Sequence, residues 1–360
     1  MKKRILFLHV SIGSGHIRAA QAIEDAIKKR HKDWETRSVD PSAEKYPAIK
    51  KIIEKIYLKS NKYIPKVYDL LYDSETIYRM SKPFVRYFQK KNLERFRDYI
   101  EDFNPEIIVC THAFPCGMAS ILKERTDINI VAVPTDLTVH RYWVQKNVDC
   151  FAVATDKSKD FLIKRGVKKE DIEVTGLPIN PKFYKDHDKE ELRKRLSLRE
   201  GNIILIMGGG FGFGPIEETI RALKGIDAEL VAITGRNKKL KEKLNRLDMK
   251  NLKVLSYIKN IDMYMEASDL LITKPSGSTI YEAASKGLPM VLIKGVAGSE
   301  WDNKEFLEGL VEVPKDKEEL RMKTESIIDD KEKRDSLRKR LKAFVKPDAT
   351  ERIVNILERM

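Results

Sequence analysis

Two glycines, Gly13 and Gly15, stand directly before His16, and the group follows the apolar run at residues 4–10. An imidazole changes charge near neutral pH, so a histidine here either takes a proton from a bound hydroxyl or simply caps and packs its loop. Its place at the carboxyl edge of a first strand, beside glycines that let another molecule approach the backbone, favours the general base. Asp136 lies in a second polar stretch, Thr135-Asp136-Leu137-Thr138-Val139-His140, again behind an apolar run. Three roles stay open for it: orienting a base, accepting a substrate hydroxyl, or capping the following turn. In the second half, Gly208-Gly209-Gly210-Phe211-Gly212-Phe213-Gly214 carries five glycines in seven residues, which suggests close approach of a ligand to the backbone. Further on, Ser276-Gly277-Ser278-Thr279 opens a helical pattern that contains Glu282. Amides at a helix start meet an anion, and a carboxylate one turn later accepts hydrogen bonds from a sugar diol. Together these stretches suit a phosphorylated sugar compound.

The elements that must position these groups alternate strand and helix. Apolar runs at 4–10, 106–110, 129–134, 149–155 and 172–175 read as buried strands of a first Rossmann-like half. Those at 202–207, 229–234, 252–255, 269–273 and 290–293, with a short last one at 310–313, read as a second half. The loop at 111–115 precedes a helix over 116–123. The breaker-rich Gly176-Leu177-Pro178-Ile179-Asn180-Pro181 sets the boundary, giving domains over 1–180 and 181–345. A last helix over 346–360 is expected to pack across the junction. Residues 42–100 differ in texture: tyrosines and lysines interleave along helical spacing, either as long helices with a solvated basic face or as an interfacial, acceptor-binding patch. The first loop lacks the third glycine of a dinucleotide fingerprint, and Asp40 is only a partial candidate for a ribose-binding acid.

At 360 residues, two domains are the default. No apolar run approaches a membrane span, and Met1-Lys2-Lys3-Arg4 before one short strand is neither a signal peptide nor an anchor. The formal charge of +14 suits an anionic surface or substrate, while dense Lys and Glu equally suit a heat-adapted surface; composition leaves both open. Cys110, Cys116 and Cys150 lack framework spacing and read as free thiols in a reducing cytoplasm. The scattered histidines and unpaired cysteines suggest no metal site, and no nucleic-acid module is present.

Four blocks give the chain a family likeness: GSGH with the alanine-rich helix (13–26), PTDLTVHRYWVQKNVDCFAVAT running on to VTGLPINPKF (134–183), GGGFGFGP (208–215), and TKPSGSTIYEAASKGLPMVL with GSEWDN (273–303). In order and spacing they resemble the GT-B glycosyltransferases that include the monogalactosyldiacylglycerol synthases, the processive diacylglycerol glucosyltransferases and, more distantly, MurG. The resemblance implies an α/β fold of two Rossmann-like domains facing each other across a cleft, and an inverting transfer of a hexose from a UDP-sugar to diacylglycerol. No tightly bound cofactor or essential metal is implied. His16 corresponds to the family's general base, and Asp136, read from its own context, is set beside it as a catalytic candidate. Gly13, Gly15, Gly209, Gly210 and Phe211 correspond to the loops about the donor, Ser276, Gly277, Ser278 and Thr279 to the diphosphate cradle, and Glu282 to the ribose clamp. Ser299, Glu300 and Asn303 correspond to the donor-sugar pocket, with Ser299 replacing the family's usual glutamine, which leaves the sugar open. The implied location is peripheral, on the cytoplasmic side of the cell membrane, with an anionic membrane surface and lipid acceptor as partners. A MurG-like GlcNAc transfer to an undecaprenyl-linked acceptor, a UDP-sugar epimerase, and a lipid-surface or nucleic-acid binding protein without catalysis stand as alternatives.

Overall fold

The computed structural model describes residues 2–11, 14–41, 75–294, 303, 306, 307 and 309–360. The chain divides into two compact units, one built mainly from residues up to Asn180 together with Lys346–Met360, the other from Pro181 to Val345.

In the first unit the order is β1 (Arg4–Leu8), α1 (Gly15–Arg30), β2 (Glu35–Val39), α2 (Glu75–Phe103), β3 (Ile107–Cys110), α3 (Ala113–Leu122), β4 (Asn129–Ala132), β5 (Cys150–Val153), α4 (Asp156–Ile163) and β6 (Ile172–Val174). The strands form one parallel sheet in the order β2-β1-β3-β4-β5-β6. Runs such as Ile107-Ile108-Val109-Cys110 are buried at every position because helices cover both faces, which is why they read as unbroken apolar runs. The chain runs outward from β1 to β2, then crosses to β3 on the other side of β1. Loops leaving β1 and β3 therefore diverge and open a crevice at their carboxyl ends.

The second unit runs α5 (Lys189–Arg195), β7 (Ile203–Met207), α6 (Ile216–Ala222), β8 (Glu229–Ile233), α7 (Lys238–Asn245), β9 (Leu252–Leu255), α8 (Ile261–Ala267), β10 (Leu270–Thr273), α9 (Gly277–Ser285), β11 (Met290–Leu292), α10 (Lys317–Ile328) and α11 (Lys331–Phe344). Its parallel sheet has the order β11-β10-β7-β8-β9, so the same reversal falls between β7 and β10. Asp269 pins the far end of this pair, accepting from the Ile203 amide at 2.8 Å and from Arg193 at 2.7 Å. The short strand expected at 310–313 reduces to one bridge, Glu312 beside Val291. Pro314 follows and has no amide to extend the ladder.

The last helix, α12 (Ala349–Arg359), belongs to the first unit. Ile353, Val354, Ile356 and Leu357 are buried in one cluster with Ala20, Ile23, Ala26 and Ile27 of α1. Each large side chain buried in this way contributes about 1.5–3 kcal/mol. Lys3 completes the docking by donating to the Leu357 and Glu358 carbonyls at 2.9 and 3.1 Å, near the negative end of the helix. Of the aromatic and basic stretch at 42–100, residues 42–74 lie outside the described residues; the remainder is the first part of α2.

Candidate functional site

The crevice of the first unit gathers three histidines. α1 begins at Gly15, which places His16 in its first turn. His16 Nδ1 lies 2.8 Å from the Thr111 carbonyl at the end of β3 and 2.8 Å from the Thr135 hydroxyl beyond β4. A carbonyl only accepts, so the proton sits on Nδ1 and the Nε2 lone pair is left for chemistry. The Thr111 hydroxyl donates back to the His16 carbonyl at 3.0 Å, locking the ring's root to β3. His112 stands edge-on to His16, with ring centroids 4.7 Å apart.

Electrostatics separates the three rings. Burial first, then the His16 and His140 charges, hold His112 well below the ordinary histidine value. His140 is pushed down to about 3 by burial and by His16. His16 is also lowered by burial, but the Asp136 charge and the Thr111 carbonyl act in the opposite sense. It is thus the ring of the three whose protonated form has direct support, as a proton acceptor requires. The next helical turn, Arg141–Trp143, has His140 at its N-cap position.

Several expectations are revised here. The loop expected at 111–115 is shorter, because α3 starts at Ala113 and tolerates Pro115 in its first turn. His112 is its N-cap, with Nδ1 accepting from the Phe114 amide at 3.1 Å. The Asp40 carboxylate accepts from the Ser11 amide at 2.7 Å and braces the loop after β1. Gly13 lies outside the described residues.

In the second unit the glycine loop folds tightly on itself after β7. Phe213 N donates to the Gly208 carbonyl at 2.9 Å and Gly212 N to the Gly209 carbonyl at 3.1 Å. A Cβ on Gly208 would fall 1.8 Å from the Phe213 carbonyl oxygen, and one on Gly212, at φ +63°, would fall 2.2 Å from that of Thr234. At these two positions the chain's own close approach demands glycine, a reason distinct from ligand approach. Gly209 differs, since its open side faces the buried Lys274, whose Cε would lie 3.7 Å from an added Cβ.

Arg236 N donates to the Gly210 carbonyl at 3.0 Å. Its guanidinium lies 5.7 Å from the Phe211 ring and 5.5 Å from the Tyr257 ring. Arg236 and Tyr257, which follow β8 and β9, were not singled out in the sequence; their one signal is an aromatic or cationic side chain just past a strand end. Across the reversal, Ser276 is the N-cap of α9 without its side chain capping the helix. The amides of Gly277, Ser278 and Thr279 precede the first acceptor that helix geometry supplies, and so point outward for an anion. Glu282 is buried one turn on. Asn303 is fully buried and its Nδ2 donates to the Pro275 carbonyl at 3.1 Å, which ties it to the loop before α9. Ser299 and Glu300 lie outside the described residues. Among the described residues, no group of three or more His, Cys, Asp or Glu is arranged to hold a metal.

A family model for monogalactosyldiacylglycerol (MGDG) synthase matches residues 16–179, and one for UDP-N-acetylglucosamine 2-epimerase matches 137–358. The processive diacylglycerol beta-glucosyltransferase of Bacillus pumilus is 32% identical over 95% of this chain and 91% of its own length. The chain belongs to the GT-B family of these glucosyltransferases. Solved structures share the fold at lower identity. MurG of Acinetobacter baumannii superposes with a TM-score of 0.66 at 15% identity, covering 99% of this chain and 100% of that one. The UDP co-structure of Staphylococcus aureus MnaA gives 0.66 at 17%, covering 99% and 96%. The GT-B reading of two Rossmann-like domains thus holds, each unit with its own parallel sheet flanked by helices.

Proposed function

We propose that the protein is an inverting glycosyltransferase that moves a hexose from a UDP-sugar to diacylglycerol at a membrane surface. The observation that carries the reading is His16, held as its Nδ1–H tautomer by the Thr111 carbonyl in the crevice of the first sheet. Its Nε2 takes the proton of the acceptor hydroxyl as that oxygen attacks the anomeric carbon. The bond from that carbon to the diphosphate breaks, and UDP leaves with the electron pair. A single displacement inverts the anomeric centre. Asp136 stabilises the imidazolium that forms.

The second unit serves the donor. The amides at 277–279 and the Lys274 ammonium carry the charge that develops on the diphosphate. Glu282 accepts from the ribose hydroxyls, and the uracil packs among Phe211, Arg236 and Tyr257. Ser299 and Glu300 take the hexose by family likeness.

No helix among the described residues is long and apolar enough to cross a membrane. Peripheral attachment is supported by α2, where Met80, Phe84, Tyr87 and Phe88 form one exposed stripe, Met80 at 76% and Phe84 at 66%. Helical spacing sets this stripe opposite the side that buries Phe96, Ile100 and Phe103 in the core. Lys91 lies 4.9 Å over the Tyr87 ring within the stripe, a pairing suited to an anionic interface.

The test is purified protein with diacylglycerol-containing vesicles and a panel of UDP-glucose, UDP-galactose and UDP-GlcNAc. UDP release coupled to glycolipid formation is expected with at least one donor. Failure with all three would overturn the reading, and interconversion of UDP-GlcNAc without lipid would favour the epimerase suggested by the match over 137–358.

A further inference from the structure

A cavity of about 940 Å³ in the first unit is used by neither candidate site. Its walls come from the start of α2, the segment after Arg141, and the turn that follows α4. They carry six basic side chains, Lys82, Arg141, Lys146, Lys164, Arg165 and Lys168, against the acidic Glu75 and Asp171. Glu75 is shared: it sits 3.4 Å from Arg141 and 2.7 Å from Arg79. The positive charge of the cavity is therefore only partly compensated from within.

Arg165 is the sharpest observation. Its guanidinium lies 3.4 Å from the Phe161 ring centroid and donates through Nη1 to the Phe161 carbonyl at 3.3 Å. Its Nε is buried with no hydrogen-bond partner among the described residues. That Nε is closed off from the cavity, so it is the outer nitrogens of the guanidinium, over the Phe161 ring, that face an acceptor among the basic walls. Burial first, and then the nearby Arg141 charge, lower its pKa, while Glu75 acts the other way. Two guanidiniums that repel each other across a cavity are relieved by an anion between them.

We propose that this cavity binds a phosphate ester, with Arg141 and Arg165 as the paired forks that hold its oxygens. The volume is that of a ligand pocket and accommodates a glycerophosphate as well as a bare phosphate. The ester comes either from a phospholipid headgroup or from a soluble metabolite. Met80, 76% exposed, lies on the opposite face of α2 from the wall residues Tyr78 and Lys82, so the apolar stripe and the cavity use different sides of that helix. Neither source is preferred by the walls, and binding of the ester does not rest on the membrane reading above.

The test compares wild type, an Arg141→Gln/Arg165→Gln variant, and a Lys331→Gln/Lys339→Gln control that loses the same charge in the other unit. Each is titrated calorimetrically with glycerol 3-phosphate and co-sedimented with phosphatidylcholine vesicles, with and without phosphatidic acid. UDP titration of every protein reports whether the donor unit is intact. Wild type and control are expected to bind glycerol 3-phosphate saturably, with at least a tenfold loss in the arginine variant. If the headgroup is the source, phosphatidic acid vesicles follow the same pattern and glycerol 3-phosphate competes with them; if a metabolite is the source, only the soluble ester does. No saturable binding of either probe, or an equal loss in the lysine control, would overturn the proposal. UDP binding that persists in that case leaves the donor reading standing.

Discussion

Replacing Gly212 by alanine separates a backbone demand from a demand of the site. Gly212 has φ +63° and Gly225, in a turn of the same unit, has φ +80°. An L-residue in that region costs roughly 1–2 kcal/mol at either position. Nothing lies within 4 Å of a Cβ on Gly225, whereas one on Gly212 would stand 2.2 Å from the Thr234 oxygen and 3.1 Å from Asn237 Cβ. Ordinary contact begins near 3.4 Å, so that carbonyl or the loop must yield by roughly 1 Å. The Thr234 carbonyl accepts from the Asn237 amide at 3.1 Å, and Asn237 caps α7 by accepting from the Leu240 amide at 3.0 Å. Overpacking of this kind costs about 1–3 kcal/mol.

Gly212→Ala is therefore expected to be less stable than Gly225→Ala by about 1–3 kcal/mol in urea unfolding at a common slope. Relief by loop movement also displaces Phe211 and the Gly210–Arg236 bond. UDP affinity measured by calorimetry should then fall roughly tenfold or more in Gly212→Ala, a loss of about 1.4 kcal/mol, and stay unchanged in Gly225→Ala. Equal stabilities within about 0.5 kcal/mol would refute the close-approach argument. A destabilised Gly212→Ala that binds UDP as wild type would separate the glycine loop from the nucleotide.

His16→Ala is expected to lower kcat by roughly 100- to 10,000-fold with UDP affinity kept. The base acts when neutral and burial lowers its pKa, so wild-type kcat/KM should rise with pH along a limb whose midpoint lies below the ordinary histidine value of 6.5. Since the Asp136 charge raises that pKa, Asp136→Asn should move the acid limb to lower pH; a limb unmoved in that variant would refute the coupling. Glu282→Gln should weaken UDP binding by roughly 10- to 150-fold, the loss of about 1.5–3 kcal/mol of charged hydrogen bonding, and a UDP analogue lacking both ribose hydroxyls should no longer distinguish variant from wild type. Burial raises the pKa of Glu266, but hydrogen bonds from Lys286 and His187 hold it below 4.5 overall. Its stabilising contribution is present above the ordinary carboxylate value and is lost as pH falls through the lowered one, so Glu266→Gln should flatten the acid limb of a stability profile followed by urea unfolding.

The strands were legible because both sheets are parallel and covered on two faces, which writes them as unbroken apolar runs. Their order was not legible, because apolarity at Ile204 and Ile272 says nothing of which strands are neighbours. His112 was passed over as a loop residue because Pro115 reads as a breaker, although a first turn accepts it. Arg236 and Tyr257 come together only when the exits of β8 and β9 converge on the glycine loop.

The two sheets give a common reason for where the chemistry falls. In the first, the chain reverses between β1 and β3, and the residues leaving those strands are His16 and Thr111. In the second it reverses between β7 and β10, and there stand the glycine loop and the start of α9. A crossover that turns to opposite sides leaves strand ends uncovered, so polar groups sit there without displacing core. The proposed site in each unit gathers about that reversal, joined by Thr135 from the exit of β4 in the first and by Arg236 from the exit of β8 in the second. His16 follows the first strand of its sheet, as the glycine loop follows β7, and Ser276 follows the strand across the reversal, as Thr111 does in the first unit.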